Sequence, residues 1–192
     1  MKIQIKKEDV VQFDIEHLKK LSISPEHWHA AGISEYRLYS YLSTLFDNTT
    51  ILDIGTRTGN SALALSHNSS NKIISYDLQE QGASNIKKHN ITWKIKNFME
   101  DSEINWNNVS IVMIDVDPHD GIQEREMMKW LEEEKKWKGI LLHDDIMELG
   151  RWEENCNMWN EIKYEKFVLT DIGHSSGTGL VNFGNIHKIE II

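Results

Sequence analysis

The sequence predicts an α/β fold: a doubly wound, mostly parallel seven-stranded sheet closed by a C-terminal antiparallel hairpin. Three observations carry this reading. Five short β-rich apolar runs, at residues 51–54, 72–76, 91–95, 109–114 and 139–142, alternate with helical patterns, as a parallel sheet covered on both faces requires. The first run passes directly into a glycine turn and a helix start, ILDIGTRTGNS over residues 51–61, the layout of a nucleotide-facing first crossover. Two further runs, 166–169 and 179–183, are joined by DIGHSSGT, too short for a parallel crossover, so they pair as a hairpin.

Taken in order, residues 1–50 read as an N-terminal helical cap. Leu38, Leu42, Leu45 and Phe46 recur at helical spacing after a cap at Ser34, giving an amphipathic helix that packs beside the first strand. Residues 51–192 form the core, and the whole of 1–192 reads as a single domain. Lys87-Lys88-His89 falls on an expected helix and reads as solvated surface. A helix over 121–137 turns Met127, Met128, Trp130, Leu131 and Trp137 inward and leaves the charge run 132–136 in solvent. Another follows over 152–162; the seven-residue spacings Trp130/Trp137 and Trp152/Trp159 are packing seams.

Composition removes several functions. Thirty acids against 21 bases give a formal net charge of -9, which argues against nucleic acid as a partner. Cys156 is the only cysteine, so neither an intrachain disulfide nor a thiolate zinc cage is available, which fits a reducing compartment. The opening MKIQIKKEDVVQF lacks the continuous apolar stretch of a signal peptide, and no run approaches membrane-spanning length. The expectation is a cytoplasmic protein with no membrane partner.

Glycine spacing chooses the cofactor. The dinucleotide fingerprint is GxGxxG, but counted from Gly55 this chain has Arg57 at the second glycine position and Asn60 at the third, which obstructs close approach of a pyrophosphate. What remains, Asp53-x-Gly55-x-x-x-Gly59, resembles the S-adenosylmethionine loop of class I methyltransferases, with their Rossmann-like methyltransferase fold. Gly59-Asn60-Ser61 at the helix start most resembles the small metal-dependent O-methyltransferases related to the catechol and caffeoyl-CoA enzymes and to sugar O-methyltransferases. The resemblance spans residues 51–183 and implies S-adenosyl-L-methionine as cofactor. It also implies that Asp53 orders the glycine turn and the amino-acid end of the cofactor. Asp77, ending the second strand, can accept both ribose hydroxyls; Thr56, Thr58 and Ser61 can add polar contacts. Either acid can instead cap the helix that follows it.

Asp115 closes the fourth run, and Asp144-Asp145 close the fifth. Those strands are neighbours in this topology, about 4.8 Å apart, so three carboxylates can converge on one hard cation. The catechol enzymes carry an acid at the first place and an acid followed by Asp or Asn at the second, binding magnesium. On that resemblance Asp115, Asp144 and Asp145 are the metal ligands and Mg2+ the ion. The alternative is that Asp144 or Asp145 caps the next helix and Asp115 touches only cofactor.

The catalytic lysine of the catechol enzymes falls on Pro118 here, which leaves His119 and Asp117 as candidate bases, with His119 preferred. His143, by strand alternation, points away from the Asp144 side. His27-Trp28-His29 can line a lid, and the 174–179 loop, which lacks the lysine of a phosphate loop, can overhang the site. The expected activity is O-methylation of a small hydroxylated acceptor. Its rivals are a metal-free methyltransferase acting on nitrogen or protein, and a non-catalytic cofactor-binding module. The oligomer stays open; a homodimer is one arrangement, since small catalytic domains with a short cap often dimerise to close the pocket.

Overall fold

The computed structural model describes residues 1–147, 153–184 and 186–192, and of residues 30 and 31 the backbone only. Its main sheet uses β2 (Thr50–Ile54), β3 (Lys72–Asp77), β4 (Ile91–Ile95), β5 (Val109–Ile114), β6 (Ile140–His143), β7 (Glu165–Val168) and β8 (Gly179–Asn182). Their order is β4-β3-β2-β5-β6-β8-β7, with β8 antiparallel to both β6 and β7 and every other pair parallel. The five parallel runs and the hairpin read from the sequence thus form the expected seven-stranded sheet.

Alternation sorts the side chains of the central strands. Ile51, Ile73, Ile111, Met113, Ile140 and Leu142 join one buried cluster; Leu52, Ile54, Ile74, Val112, Ile114 and Leu141 join the other. Against the first face pack α3 (Ala30–Ser43) and α4 (Asn60–Leu65), through residues such as Leu38, Leu42 and Leu63. Against the second pack α5 (Ile122–Glu133), through Met127 and Leu131, and α6 (Glu153–Glu161), through Trp159. Each fully buried aliphatic side chain contributes about 1.5–3 kcal/mol, which is why both faces must be covered.

Four features differ from the sequence reading. The N-terminal cap is not purely helical: β1 (Lys2–Ile5) pairs in parallel with β9 (Lys188–Ile191) in a separate two-stranded sheet, and the short helices α1 (Lys7–Val11) and α2 (Glu16–Lys19) follow. Ser34 is not a cap. Helix α3 begins at Ala30 after an extended His29, five residues before the expected cap, because the alanine pair at 30 and 31 extends a helix that the apolar stripe marks only from Leu38. Lys87-Lys88-His89 is not helical; a 3-10 turn at Ala83–Asn85, entered through Gly82 at φ 94°, makes that crossover. Finally, α5 stops at Glu133 rather than 137, and Trp137 folds back to donate its indole N–H to Val109 O at 2.9 Å. Trp152 lies outside the described residues, while Trp130 and Trp159 pack as seams against Phe98 and Gly179 respectively.

Candidate active site

The chain leaves β2 for β3 and β4 on one side, then returns to β5 on the other, so the ends of β2 and β5 bound the crevice at the reversal of strand order. A cleft of about 830 Å³ opens there. Gly55 is at φ 92° and Gly59 at φ 87°, the left-handed region that a side chain resists. The turn is fastened to β3 by Gly55 N–H and Thr56 N–H donating to Tyr76 O at 2.9 and 3.2 Å.

Of the residues read as cofactor-binding, Gly55, Thr56, Ser61 and Asp77 line the cleft. Asp77 sits at the end of β3, its two carboxylate oxygens accepting the backbone N–H groups of Arg57 at 2.8 Å and Gln79 at 3.0 Å. Those bonds aim the carboxylate while leaving further lone pairs toward the cleft. Asp53 lies fully buried beneath the turn and accepts the Ser75 hydroxyl at 2.7 Å. Burial raises its pKa, while the hydrogen bond from Ser75 opposes the rise; its other carboxylate oxygen is buried without a hydrogen-bond partner among the described residues. Gly59 caps α4, where an added Cβ would meet Ile86 and Trp93 at 2.9 Å.

The N-terminal segment is tied to this turn. Ser22 Oγ and Trp28 Nε1 donate to Asn60 Oδ1 at 2.6 and 3.0 Å, and Ser24 Oγ donates to Thr58 Oγ1 at 2.8 Å. Asn60 and Thr58 therefore anchor the cap. Trp28 is buried in that anchor, and His27, but not Trp28 or His29, lines the cleft.

At the other end of the cleft the acids meet in two groups that share Asp145: Asp115 and Asp145 with His119, and Asp144 and Asp145 with His174. Backbone bonds place them: Asp115 N–H donates to Ile54 O at 3.0 Å, and Asp144 N–H to Ile114 O at 3.2 Å. Asp145 adopts φ 56°, which turns the chain just after the pair. His119 Nε2 lies 3.4 Å from Asp145 Oδ2, 3.4 Å from Asp117 Oδ1 and 3.8 Å from Asp115 Oδ1. His143 points the other way, buried against Asn155 Oδ1 at 3.0 Å, and burial brings its pKa down to about 4. The loop between β7 and β8 does border the site, bringing His174 Nδ1 to 3.9 Å from Asp144 Oδ2.

Glu35, on α3, was not anticipated. It is buried, lines the cleft, accepts the Tyr39 hydroxyl at 2.6 Å, and stands near enough to Asp144 for its charge to raise that residue's pKa. The signal was present: Glu35 shares the helical stripe of Leu38 and Leu42, where an acid has no reason to be unless it faces something polar.

Crowding shifts the titrations. Burial, then the charges of Asp145 and Asp53, push Asp115 up to about 7. Burial also pushes Glu35 up to about 8, against the Tyr39 hydrogen bond, and holds Asp144 well above the carboxylate range, reinforced by Glu35 and Asp115. Burial lowers His174. Among the described residues, Asp144 Oδ1 and Asp145 Oδ1 are buried with no hydrogen-bond partner. Hard oxygen donors left orphaned in a negative cluster fit a divalent cation.

A pH prediction follows. The folded protein keeps a proton on buried Glu35 that the unfolded chain sheds near pH 4, so the cation-free fold loses stability as pH rises from about 4 through about 8; Asp115, whose side chain is 37% exposed, adds less in the same direction. Calorimetric melting should therefore show Tm falling between pH 5 and pH 8, and millimolar divalent cation should remove most of the fall. A cation-free Tm that rises over this range would contradict it.

No protein-family model matches the sequence, and no curated protein matches it by sequence. Solved structures do match by fold. An SAH-bound methyltransferase from Podospora anserina aligns with TM-score 0.61 at 12% identity, covering 90% of this chain and 89% of that one. A candidate caffeoyl-CoA O-methyltransferase from Staphylococcus aureus aligns with TM-score 0.57 at 16% identity, covering 78% and 82%. A SAM-dependent methyltransferase from Aquifex aeolicus aligns with TM-score 0.56 at 18% identity, covering 89% and 98%. The chain has the fold of these methyltransferases.

Proposed function

We propose that the protein is an S-adenosylmethionine-dependent methyltransferase that methylates an oxygen of a small hydroxylated acceptor, assisted by a divalent cation. The observation that carries this is the meeting, in one cleft, of the Gly55–Gly59 turn with carboxylates from two adjacent strand ends. When bound, S-adenosylmethionine supplies an electrophilic methyl group on a sulfonium. A cation held by Asp115, Asp144 and Asp145, Mg2+ on the family resemblance, supplies positive charge that acidifies an acceptor hydroxyl.

The chain's own residues do the rest. Asp77 receives the ribose hydroxyls, Gly55, Thr56, Gly59 and Ser61 seat the remainder of the cofactor, and Asp53 holds the turn from below. His119 takes the acceptor's proton at Nε2. The anchored N-terminal segment covers the cleft and limits water, and the fixed strand ends hold the reactants close, the main contribution of a scaffold to a displacement.

Titration calorimetry with S-adenosylhomocysteine tests the cofactor. Asp77→Ala should weaken binding by about 1.5–3 kcal/mol for each charge-assisted hydrogen bond lost. Equal affinity in the variant, or preference of the wild type for NAD, would remove the assignment. For the base, His119→Ala should lower turnover about 100-fold while leaving S-adenosylhomocysteine affinity nearly unchanged. Unaltered turnover would transfer the proton's removal from His119 to solvent.

A further inference from the structure

Two imidazoles, not one, reach the acid pair. Donor atoms of Asp115, His119 and Asp145 all lie within 4.8 Å of one another, and so do those of Asp144, Asp145 and His174. The first trio includes the residue assigned to the proton. The second includes a side chain that the proposed reaction does not use, delivered by a loop far along the chain.

We propose that His174 is a ligand of the cation, so that the centre is a mixed nitrogen–oxygen site favouring a borderline first-row ion such as Fe2+, Co2+ or Zn2+ over Mg2+. This rests on the reading of the acid cluster as a cation site; it adds His174 at the Asp144–Asp145 side of that cluster and replaces Mg2+ with another class of ion.

Spacing is the first argument. Donors around a six-coordinate ion with bonds of about 2.1 Å stand about 3.0 Å apart when adjacent and about 4.2 Å apart when opposite. The 3.9 Å between His174 Nδ1 and Asp144 Oδ2 falls inside that range. The second argument is that the pair has lone pairs to give. Asp144 and Asp145 are each only 6% exposed, yet Oδ1 of each has no hydrogen-bond partner among the described residues. Asp53 Oδ1 and both carboxylate oxygens of Glu124 also lack a partner, but among the described residues neither of those acids belongs to a group of donors spaced for an ion, as Asp144 and Asp145 do.

Third, the ring is held in place by a built loop. His174 N–H donates to Thr178 Oγ1 at 2.8 Å, and the Ser176 hydroxyl contacts His174 Nδ1. Two backbone bonds stitch the loop to the chain after the acid pair: Ile146 N–H to Gly177 O at 3.2 Å and Met147 N–H to Ser176 O at 3.0 Å. Gly177 is at φ 105°, and an added Cβ would meet Met147 Cγ at 2.7 Å and Ile146 Cγ1 at 2.8 Å, so the loop packs as closely as a glycine permits. A ligand at Nδ1 takes the lone pair that Ser176 contacts, at the cost of one hydroxyl contact.

Ligand chemistry then sets the ion. Magnesium prefers an all-oxygen shell and sheds water reluctantly, whereas imidazole suits first-row ions such as iron, cobalt, nickel and zinc, with affinity rising from iron through cobalt to nickel.

The test uses the full chain with S-adenosylhomocysteine present. Pulsed EPR of the Mn2+-loaded protein should show nitrogen-14 modulation in the wild type and in His119→Ala, lost in His174→Ala. Calorimetry should show that His174→Ala and His174→Gln each weaken Co2+ binding about tenfold or more and Mg2+ binding less than threefold. The wild-type spectrum does not depend on either variant folding. Cation binding without nitrogen modulation, modulation that disappears with His119 instead of His174, or equal losses for both ions would overturn the proposal and leave the three-carboxylate site standing. If none of these cations binds, the three-carboxylate site falls as well.

Discussion

Gly55→Ala is expected to abolish S-adenosylhomocysteine binding and to lower Tm by about 10 °C. Two costs combine. The residue sits at φ 92°, where an L side chain costs about 1–2 kcal/mol. Its Cβ would also fall 1.7 Å from the carbonyl oxygen of Asp115 and 2.7 Å from that carbonyl's carbon. Both are backbone atoms, and Asp115 is itself fixed by its N–H bond to Ile54 O at 3.0 Å. Relief requires parting β2 from β5 at the reversal point, where the glycine turn meets Asp115, at a further cost of about 1–3 kcal/mol. Gly184→Ala separates the two effects: it has φ 100° but nothing among the described residues within 4 Å of an added Cβ. That variant should lose only a few degrees of Tm and keep full affinity. Scanning calorimetry and ligand titration on both proteins decide it. Wild-type affinity in Gly55→Ala would mean that the turn is not the cofactor seat.

The same contact explains what was legible in the sequence. Runs such as 109–114 announced themselves because strands buried on both faces are apolar throughout, and the acids were legible because they close those runs. The hairpin followed from loop length alone. What escaped notice depends on distant partners. KIQI at residues 2–5 is a four-residue alternation whose pairing strand lies at 188–191, and nothing local specifies that match. The crossover at Lys87-Lys88-His89 has helix-compatible residues, but local propensity lost to a 3-10 turn entered at Gly82. Glu35 was legible in principle as an acid on an apolar stripe; Asp144, whose pKa its charge raises, follows a strand far along the chain, so only the fold brings them together. His174 marked a loop in sequence and becomes a candidate ligand only once Gly177 packs that loop against Ile146 and Met147.

Asp144→Asn should move stability and activity in opposite directions. The carboxyl is buried, its pKa is held well above normal by that burial and by Glu35 and Asp115, and one of its oxygens has no hydrogen-bond partner among the described residues. In the cation-free protein, replacing it with an isosteric neutral amide removes the cost of ionising a buried carboxyl inside a like-charged cluster, so Tm at alkaline pH should rise by a few degrees. The substitution also removes a charged donor from the proposed cation site. If the cation contributes about 4 kcal/mol of charge stabilisation to the reaction, turnover should fall about 1000-fold, with a parallel loss of Mg2+ and Co2+ affinity. A residue that merely caps the chain behind β6 behaves differently: its carboxylate would hold backbone N–H groups, and losing the charge would lower the stability of the cation-free fold. Melting at alkaline pH without cation, and turnover with it, therefore separate the two roles in one variant. A lower Tm accompanied by nearly unchanged turnover would make Asp144 a structural cap and leave Asp115 and Asp145 without the third carboxylate the mechanism requires.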